Sequence, residues 1–257
     1  MNARVQTQAP GDAAEHRARV DLAACHRLAV HFGYHEGIDN HLTLLVPGYD
    51  DRFLLAPFGL HWSEVRASDF LVVGLDGTVY SGSGPVEDTA FCIHAPIHAG
   101  PRRIECVLHT HMPYATALSM LENPTLEMAN QSAIGFFGQV AYDPDYNGLA
   151  LDRAEGGRLA RVLGDKSVLL LANHGVLTVG KSVGEAFNSL YFFERAAQAQ
   201  VLALSTGRPL RILPDSIVRH TAAQFQSATA VGGADRIELH FAALKRMLDR
   251  TQPDYAH

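Results

Sequence analysis

Three histidines in two short segments of the chain are of the types and spacing that could hold a metal ion. In Val107-Leu108-His109-Thr110-His111-Met112-Pro113, alternate side chains of an extended strand share a face, so His109 and His111 project together beside a proline-bounded turn. Two imidazoles so placed can pinch a divalent ion, although two surface histidines would give the same pattern. His174 lies in Ala172-Asn173-His174-Gly175, a tight turn between two apolar strands. There it either stabilises the turn or faces a cleft. Together, three neutral imidazoles would leave coordination positions open on an ion, as a Lewis-acid site requires. Glu87, with Asp88 beside it, opens a helix that carries His94 and His98. An acid there either complements the helix dipole or acts as general acid/base or fourth ligand.

The elements that must position these residues are legible in outline. Apolar residues at helical spacing predict a helix over 20–32 that ends at Gly33. Strands are expected over 41–46 and 53–56, a short helix over 63–68, and a hairpin of 71–75 with 78–80 around Asp76-Gly77. A helix over 86–99 leads to a strand over 104–109, and Pro113 starts another helix reaching 120. A strand over 139–142, a helix over 152–163 and strands over 168–171 and 176–179 follow. The capping box Ser182-Val183-Gly184-Glu185 opens a long helix to about 204. Two amphipathic stretches, 215–226 and 235–248, complete the chain. The expected organisation is a flexible tail over 1–17, one α/β domain over 18–206 and a helical extension over 207–257. Hairpin-joined strands predict a mixed or antiparallel sheet.

Composition narrows the function. The 257 residues are 47% hydrophobic and 19% charged, with a mean hydropathy of -0.01. Twenty-one Lys and Arg against 27 Asp and Glu give a net charge of -6, and no basic run occurs, so no nucleic-acid partner is expected. The longest apolar run, around 167–172, is far short of the ~20 residues a membrane span needs. Residues 1–11 are polar, so no secretory signal is expected. Three cysteines without a CxxC pair fit reduced thiols in a cytoplasm.

The ordered segments Gly37-Ile38-Asp39-Asn40-His41, Ala56-Pro57-Phe58-Gly59, Ala67-Ser68-Asp69, Asp76-Gly77, Ile93-His94-Ala95-Pro96-Ile97-His98, His109-Thr110-His111-Met112-Pro113-Tyr114 and Asn173-His174-Gly175-Val176-Leu177-Thr178-Val179-Gly180 resemble the class II aldolase/adducin-head family over about 20–204. The resemblance implies a three-layer α/β/α domain around a mostly antiparallel sheet. It implies homotetramers with active sites at subunit interfaces, and a divalent ion (Zn, Mn or Fe) on His109, His111 and His174. Such an ion polarises a hydroxyl/carbonyl pair and stabilises an enediolate, so that an adjacent C–C bond can form or break.

Two departures bear on the substrate. Sugar-phosphate aldolases of the family place a catalytic Glu 19 residues before the first His of the HxH pair, and that position here is Ala90. Glu87, three residues earlier, is the candidate replacement. The family's Ser pair for phosphate is replaced by Asp88 and Thr89, and an acid there would repel a dianion. The expected activity is therefore a metal-dependent C–C lyase, a decarboxylase or aldolase, acting on a small non-phosphorylated hydroxy/oxo or hydroxyaromatic carboxylate. Asn40, His41, His61 and Gln131 are the expected contacts to the substrate's carboxylate, and a structural or interface role is expected for His94 and His98. A non-haem iron oxygenase and a non-catalytic, adducin-like scaffold are the alternatives.

Overall fold

The structure is a computed structural model that describes residues 10–228 and 230–257. Its centre is an eight-stranded sheet of β1 (His41–Leu45), β2 (Arg52–Leu55), β3 (Leu71–Gly74), β4 (Val79–Ser81), β5 (Cys106–Thr110), β6 (Val140–Asp143), β7 (Val168–Leu171) and β8 (Gly175–Gly180). The spatial order is β4-β3-β2-β1-β5-β8-β7-β6. Every pairing is antiparallel except β6 with β7, so the sheet is mostly antiparallel as expected. The β1–β5 register sets His41 directly opposite His109 and Thr43 opposite Val107.

Because strand side chains alternate between faces, β1 and β5 feed two different cores. Leu42, Leu44, Cys106 and Leu108 join a large apolar cluster with residues of α1 (Pro10–Phe32), α3 (Pro113–Ser119), α6 (Val183–Leu204) and α8 (Arg236–Thr251). On the other face Val107, Leu169, Leu177 and Val179 pack against Ile93 and Ile97 of α2 (Asp88–His98) and Leu159 and Leu163 of α5 (Arg153–Leu163). His41, Thr43 and His109 lie on this second face, under α2. α2 and α5 cross so closely that a Cβ on Gly156 would sit 2.0 Å from the Cys92 carbonyl oxygen.

Three expectations need correction. The first helix begins at Pro10, so the tail expected over 1–17 is helical from there, and residues 1–9 lie outside the described residues. Its first turns are polar and carry no apolar stripe, but Glu15 and Arg19 form an i,i+4 ion pair (2.7 Å) that supports the helix without one. The helix expected over 63–68 is a turn followed by a 3₁₀ segment, Ala67–Asp69. The carboxyl-terminal stretch is built into the domain's own core. Phe241, Leu248 and Tyr255 are buried in the large cluster, Lys245 pairs with Asp21 (2.5 Å), and Arg27 with Asp254 (2.9 Å). Between α6 and α8, α7 (Asp215–Ser227) packs Val218 and Ala222 against Ile134 of α4 (Gln131–Ile134), a four-residue helix the sequence pattern is too short to reveal.

Candidate metal centre

β5 ends at Thr110, which places His109 inside the strand and His111 just beyond it. His174 comes to the same place from the β7–β8 turn, where Asn173 takes a left-handed conformation (φ 54°) and the His174 N–H donates to the Leu171 carbonyl (3.2 Å). Gly175 lets this turn close on β5: an added Cβ would meet the Thr110 carbonyl oxygen at 2.7 Å and His111 Cδ2 at 2.9 Å. The three rings form a triangle with centroids 4.8 to 5.0 Å apart, and each offers a nitrogen within 4.8 Å of the others.

Hydrogen bonds behind the rings set which nitrogen faces inward. His109 donates from Nδ1 to the Val176 carbonyl (3.1 Å), which leaves Nε2 as the lone-pair atom of the neutral ring. His111 Nδ1 bonds the Glu36 carboxylate, while its Nε2 is buried without a hydrogen-bond partner among the described residues. A carboxylate behind a histidine fixes its tautomer and raises its basicity as a ligand. Burial holds His109 well below the usual imidazole range, and the neighbouring imidazoles add to the effect. Burial and then His111 bring His174 down to about 4, against a smaller opposing pull from Glu36. Three imidazole nitrogens within 4.8 Å of one another, one of them an orphaned buried polar atom, fit a divalent cation.

The triad lines a cleft of about 860 Å³ shared with His35, Glu36, Asp39, Asn40, His41, Glu87, Thr89, Thr116 and Tyr146, among others. The described lining contains three acids and neither Lys nor Arg. His35 Nδ1, Asn40 Nδ2 and Thr116 Oγ1 are buried there without partners.

The family profile described as Class II Aldolase and Adducin N-terminal domain matches residues 20–201. The chain belongs to the class II aldolase/adducin family. Its fold superposes on the crystal structure of an aldolase II superfamily protein from Pseudomonas syringae with a TM-score of 0.86, at 36% identity, covering 97% of this chain and 98% of that one. It also superposes on an L-fuculose 1-phosphate aldolase from Glaciozyma antarctica with a TM-score of 0.80, at 25% identity, covering 98% and 96%. Alpha-adducin of Rattus norvegicus is 34% identical over 93% of this chain, which spans 34% of the adducin. The fold is thus the class II aldolase fold, in a family that includes both lyases and adducins.

Within this class II aldolase/adducin domain the residues singled out from sequence fall into two groups. His109, His111 and His174 converge, and Asn40, His41 and Glu87 line the same cleft. Asn40 holds a left-handed conformation (φ 74°) and its Oδ1 accepts from the His111 N–H (3.2 Å), so it braces a candidate ligand and offers Nδ2 to the cleft. His61 and Gln131 are not among the cleft-lining residues. His61 stands edge-on behind His35, ring centroids 5.0 Å apart, and is turned to Ser63 Oγ (2.7 Å). Gln131 is an exposed residue at the start of α4.

Glu87 is the N-cap of α2 instead of a first-turn residue, its carboxylate accepting from the Thr89 and Ala90 N–H groups, so the helix-start role expected of an acid there is realised. Asp88 is exposed and outside the described lining, so the acid facing a ligand is Glu87. Glu36 escaped the sequence reading because it lies in an irregular loop, 75 residues from His111. The only signal for it was its position just ahead of Gly37-Ile38-Asp39-Asn40.

Proposed function

We propose that the chain is a divalent-metal-dependent carbon–carbon lyase acting on a small, non-phosphorylated hydroxy or oxo acid. The observation that carries this reading is the triangle of His109, His111 and His174 opening into the 860 Å³ cleft. These three residues would hold the ion, which when bound supplies a Lewis acid able to draw electrons away from a coordinated substrate oxygen. Glu36 fixes the orientation of His111, and Asn40 fixes the His111 backbone and can donate from Nδ2 to a ligand. Glu87, a cleft-lining residue with Thr89 Oγ1 2.8 Å from its carboxylate, would be the proton carrier of this reading.

The exclusion of phosphorylated sugars rests on charge. With Glu36, Asp39 and Glu87 in the lining and no Lys or Arg there, a dianion meets net repulsion among the described residues. A monocarboxylate can share the ion; a distal phosphate would have no positive partner. Active sites completed across a homotetramer, and a cytoplasmic setting, belong to this reading as proposals. Among the described residues no helix is long and apolar enough to cross a membrane.

A scaffold role, as the match to alpha-adducin suggests, is favoured by one observation: the catalytic-acid position of the sugar-phosphate aldolases is Ala90, fully buried in α2. Metal content and turnover separate the two readings. The wild-type chain is expected to take up one zinc equivalent in equilibrium dialysis and to release CO₂ or an aldehyde from a panel of hydroxy and oxo acids. His109→Ala is expected to lose both, and Glu36→Gln to weaken zinc binding about 10-fold. A wild-type chain that binds no more zinc than His109→Ala overturns the metal reading; one that binds zinc yet turns over nothing favours the scaffold.

A further inference from the structure

Behind the triad a line of side chains runs from the cleft into the protein under α2. His41 Nδ1 lies 2.7 Å from His94 Nε2. His94 Nδ1 lies 2.6 Å from Thr43 Oγ1, Thr43 Oγ1 lies 2.8 Å from His98 Nε2, and His98 Nδ1 lies 2.9 Å from the Ile104 carbonyl oxygen. All four side chains are buried. The line exists because His41 and Thr43 are alternate residues of β1 on one face, and His94 and His98 are one turn apart on α2 above them.

The direction of these bonds follows from the inner end. A carbonyl oxygen can only accept, so His98 Nδ1 carries a hydrogen. The buried ring is neutral, so its Nε2 accepts, and the acceptor is served by the single Thr43 hydroxyl hydrogen. Thr43 Oγ1 then accepts from His94 Nδ1–H, His94 Nε2 accepts from His41 Nδ1–H, and His41 Nε2 is left with a lone pair.

The reverse direction would set two lone pairs against each other at 2.9 Å between His98 and Ile104. At the cleft end the forward direction meets Thr89 Oγ1, 3.4 Å from His41 Nε2, and the Glu87 carboxylate at 4.0 Å, beyond hydrogen-bond distance; the Thr89 hydroxyl can turn its hydrogen to either His41 or Glu87. A 2.9 Å contact is a full hydrogen bond and a 3.4 Å one is marginal, so the inner anchor decides.

We propose that this one-way chain from Ile104 makes His41 Nε2 a fixed hydrogen-bond acceptor in the cleft, so that the ligand group seated there is a hydroxyl and not a carboxylate oxygen. The proposal deepens the lyase reading by naming what its substrate carries beside the metal-binding oxygens. It also revises the expectation that His41 contacts a carboxylate, since two acceptors facing each other repel. Thr43 is a positioning residue in this scheme: it touches no ligand but transmits the direction.

Long-range ¹H–¹⁵N spectra of histidine-labelled, metal-free protein test it, with His→Gln variants for assignment. His41, His94 and His98 are all expected to show a pyrrole-type Nδ1 and a pyridine-type Nε2. A pyrrole-type Nε2 at His41 overturns the proposal. Thr43→Ser is expected to keep the pattern, and Thr43→Val to give an averaged His41 shift; an unchanged His41 in folded Thr43→Val overturns the role of the chain, and the wild-type spectrum decides alone if that variant does not fold.

With zinc added, glycolate is expected to move the His41 Nε2 resonance and acetate to leave it in place. An equal response to both, nil included, overturns the hydroxyl assignment. Failure of zinc to shift His109, His111 and His174 would instead strike the metal reading and leave the His41 tautomer result standing.

Discussion

Replacing Gly175 by alanine tests whether the two halves of the triad are held by backbone contact. The new Cβ would lie 2.7 Å from the Thr110 carbonyl oxygen and 2.9 Å from His111 Cδ2, the first about 0.7 Å short of ordinary contact. Gly175 does not use a left-handed φ, so the contact is the whole cost. The oxygen belongs to the β5 backbone and cannot swing aside, so β8 must move away from β5. Overpacking of this kind costs about 1–3 kcal/mol, or a Tm lowered by roughly 2–12 °C for a chain of this size.

The same displacement carries His174 away from His109 and His111 by more than the ~0.5 Å a functional constellation tolerates. Zinc affinity is therefore expected to fall about 10- to 100-fold, in the range seen when a ligand loses its support. Differential scanning calorimetry without metal gives the first number and competition against a zinc chelator gives the second. Unchanged Tm and affinity would refute the close approach; a lowered Tm with wild-type affinity would refute its transmission to the triad.

The paired glycines of α5 should respond oppositely to alanine. Gly156→Ala puts a Cβ 2.0 Å from the Cys92 carbonyl oxygen and is expected to force α2 and α5 apart, whereas Gly157 faces only the Arg161 guanidinium at 3.7 Å and should gain about 0.5–1 kcal/mol of helix stability, both measured by urea unfolding. Acid should weaken the fold through its buried imidazoles. Burial holds His26 and His98 down to about 4, whereas the unfolded chain takes up those protons near pH 6.5. Between the two values the unfolded state binds more protons, so stability falls as pH drops from 6.5 to 4, by at most about 3 kcal/mol per ring. Urea midpoints equal at pH 7.5 and pH 5 would refute this, and His26→Leu should reduce the pH slope by one proton.

How much of this was legible depends on whether a feature is local. The alternation in His41-Leu42-Thr43 and in His109-Thr110-His111, the Asn173-His174-Gly175 turn and the Ser182 capping box are short-range patterns, and the sheet and the triad follow from them. Register is not local. That His41 faces His109 depends on β1 lying beside β5, which no spacing in either strand encodes. Glu36 reaches His111, and Glu194 accepts the Tyr114 and Ala115 N–H groups at the start of α3, across about 80 residues of chain. Gln131 and His61 were drawn into the expected site because polar residues near matching segments carry no direction; α4 and the turn at His61 point them elsewhere.

Two of the three candidate ligand rings, His111 and His174, are only part-buried at the cleft, whereas His109 is buried in β5. The chemistry and the architecture of this chain are therefore separable at those two positions. A lineage could shed His111 and His174 and keep its shape, free to be recruited for assembly instead of turnover, whereas loss of His109 would leave a gap under α2. A lineage that keeps all three retains two polar rings at the cleft mouth that add little to the packing of the sheet against its helices.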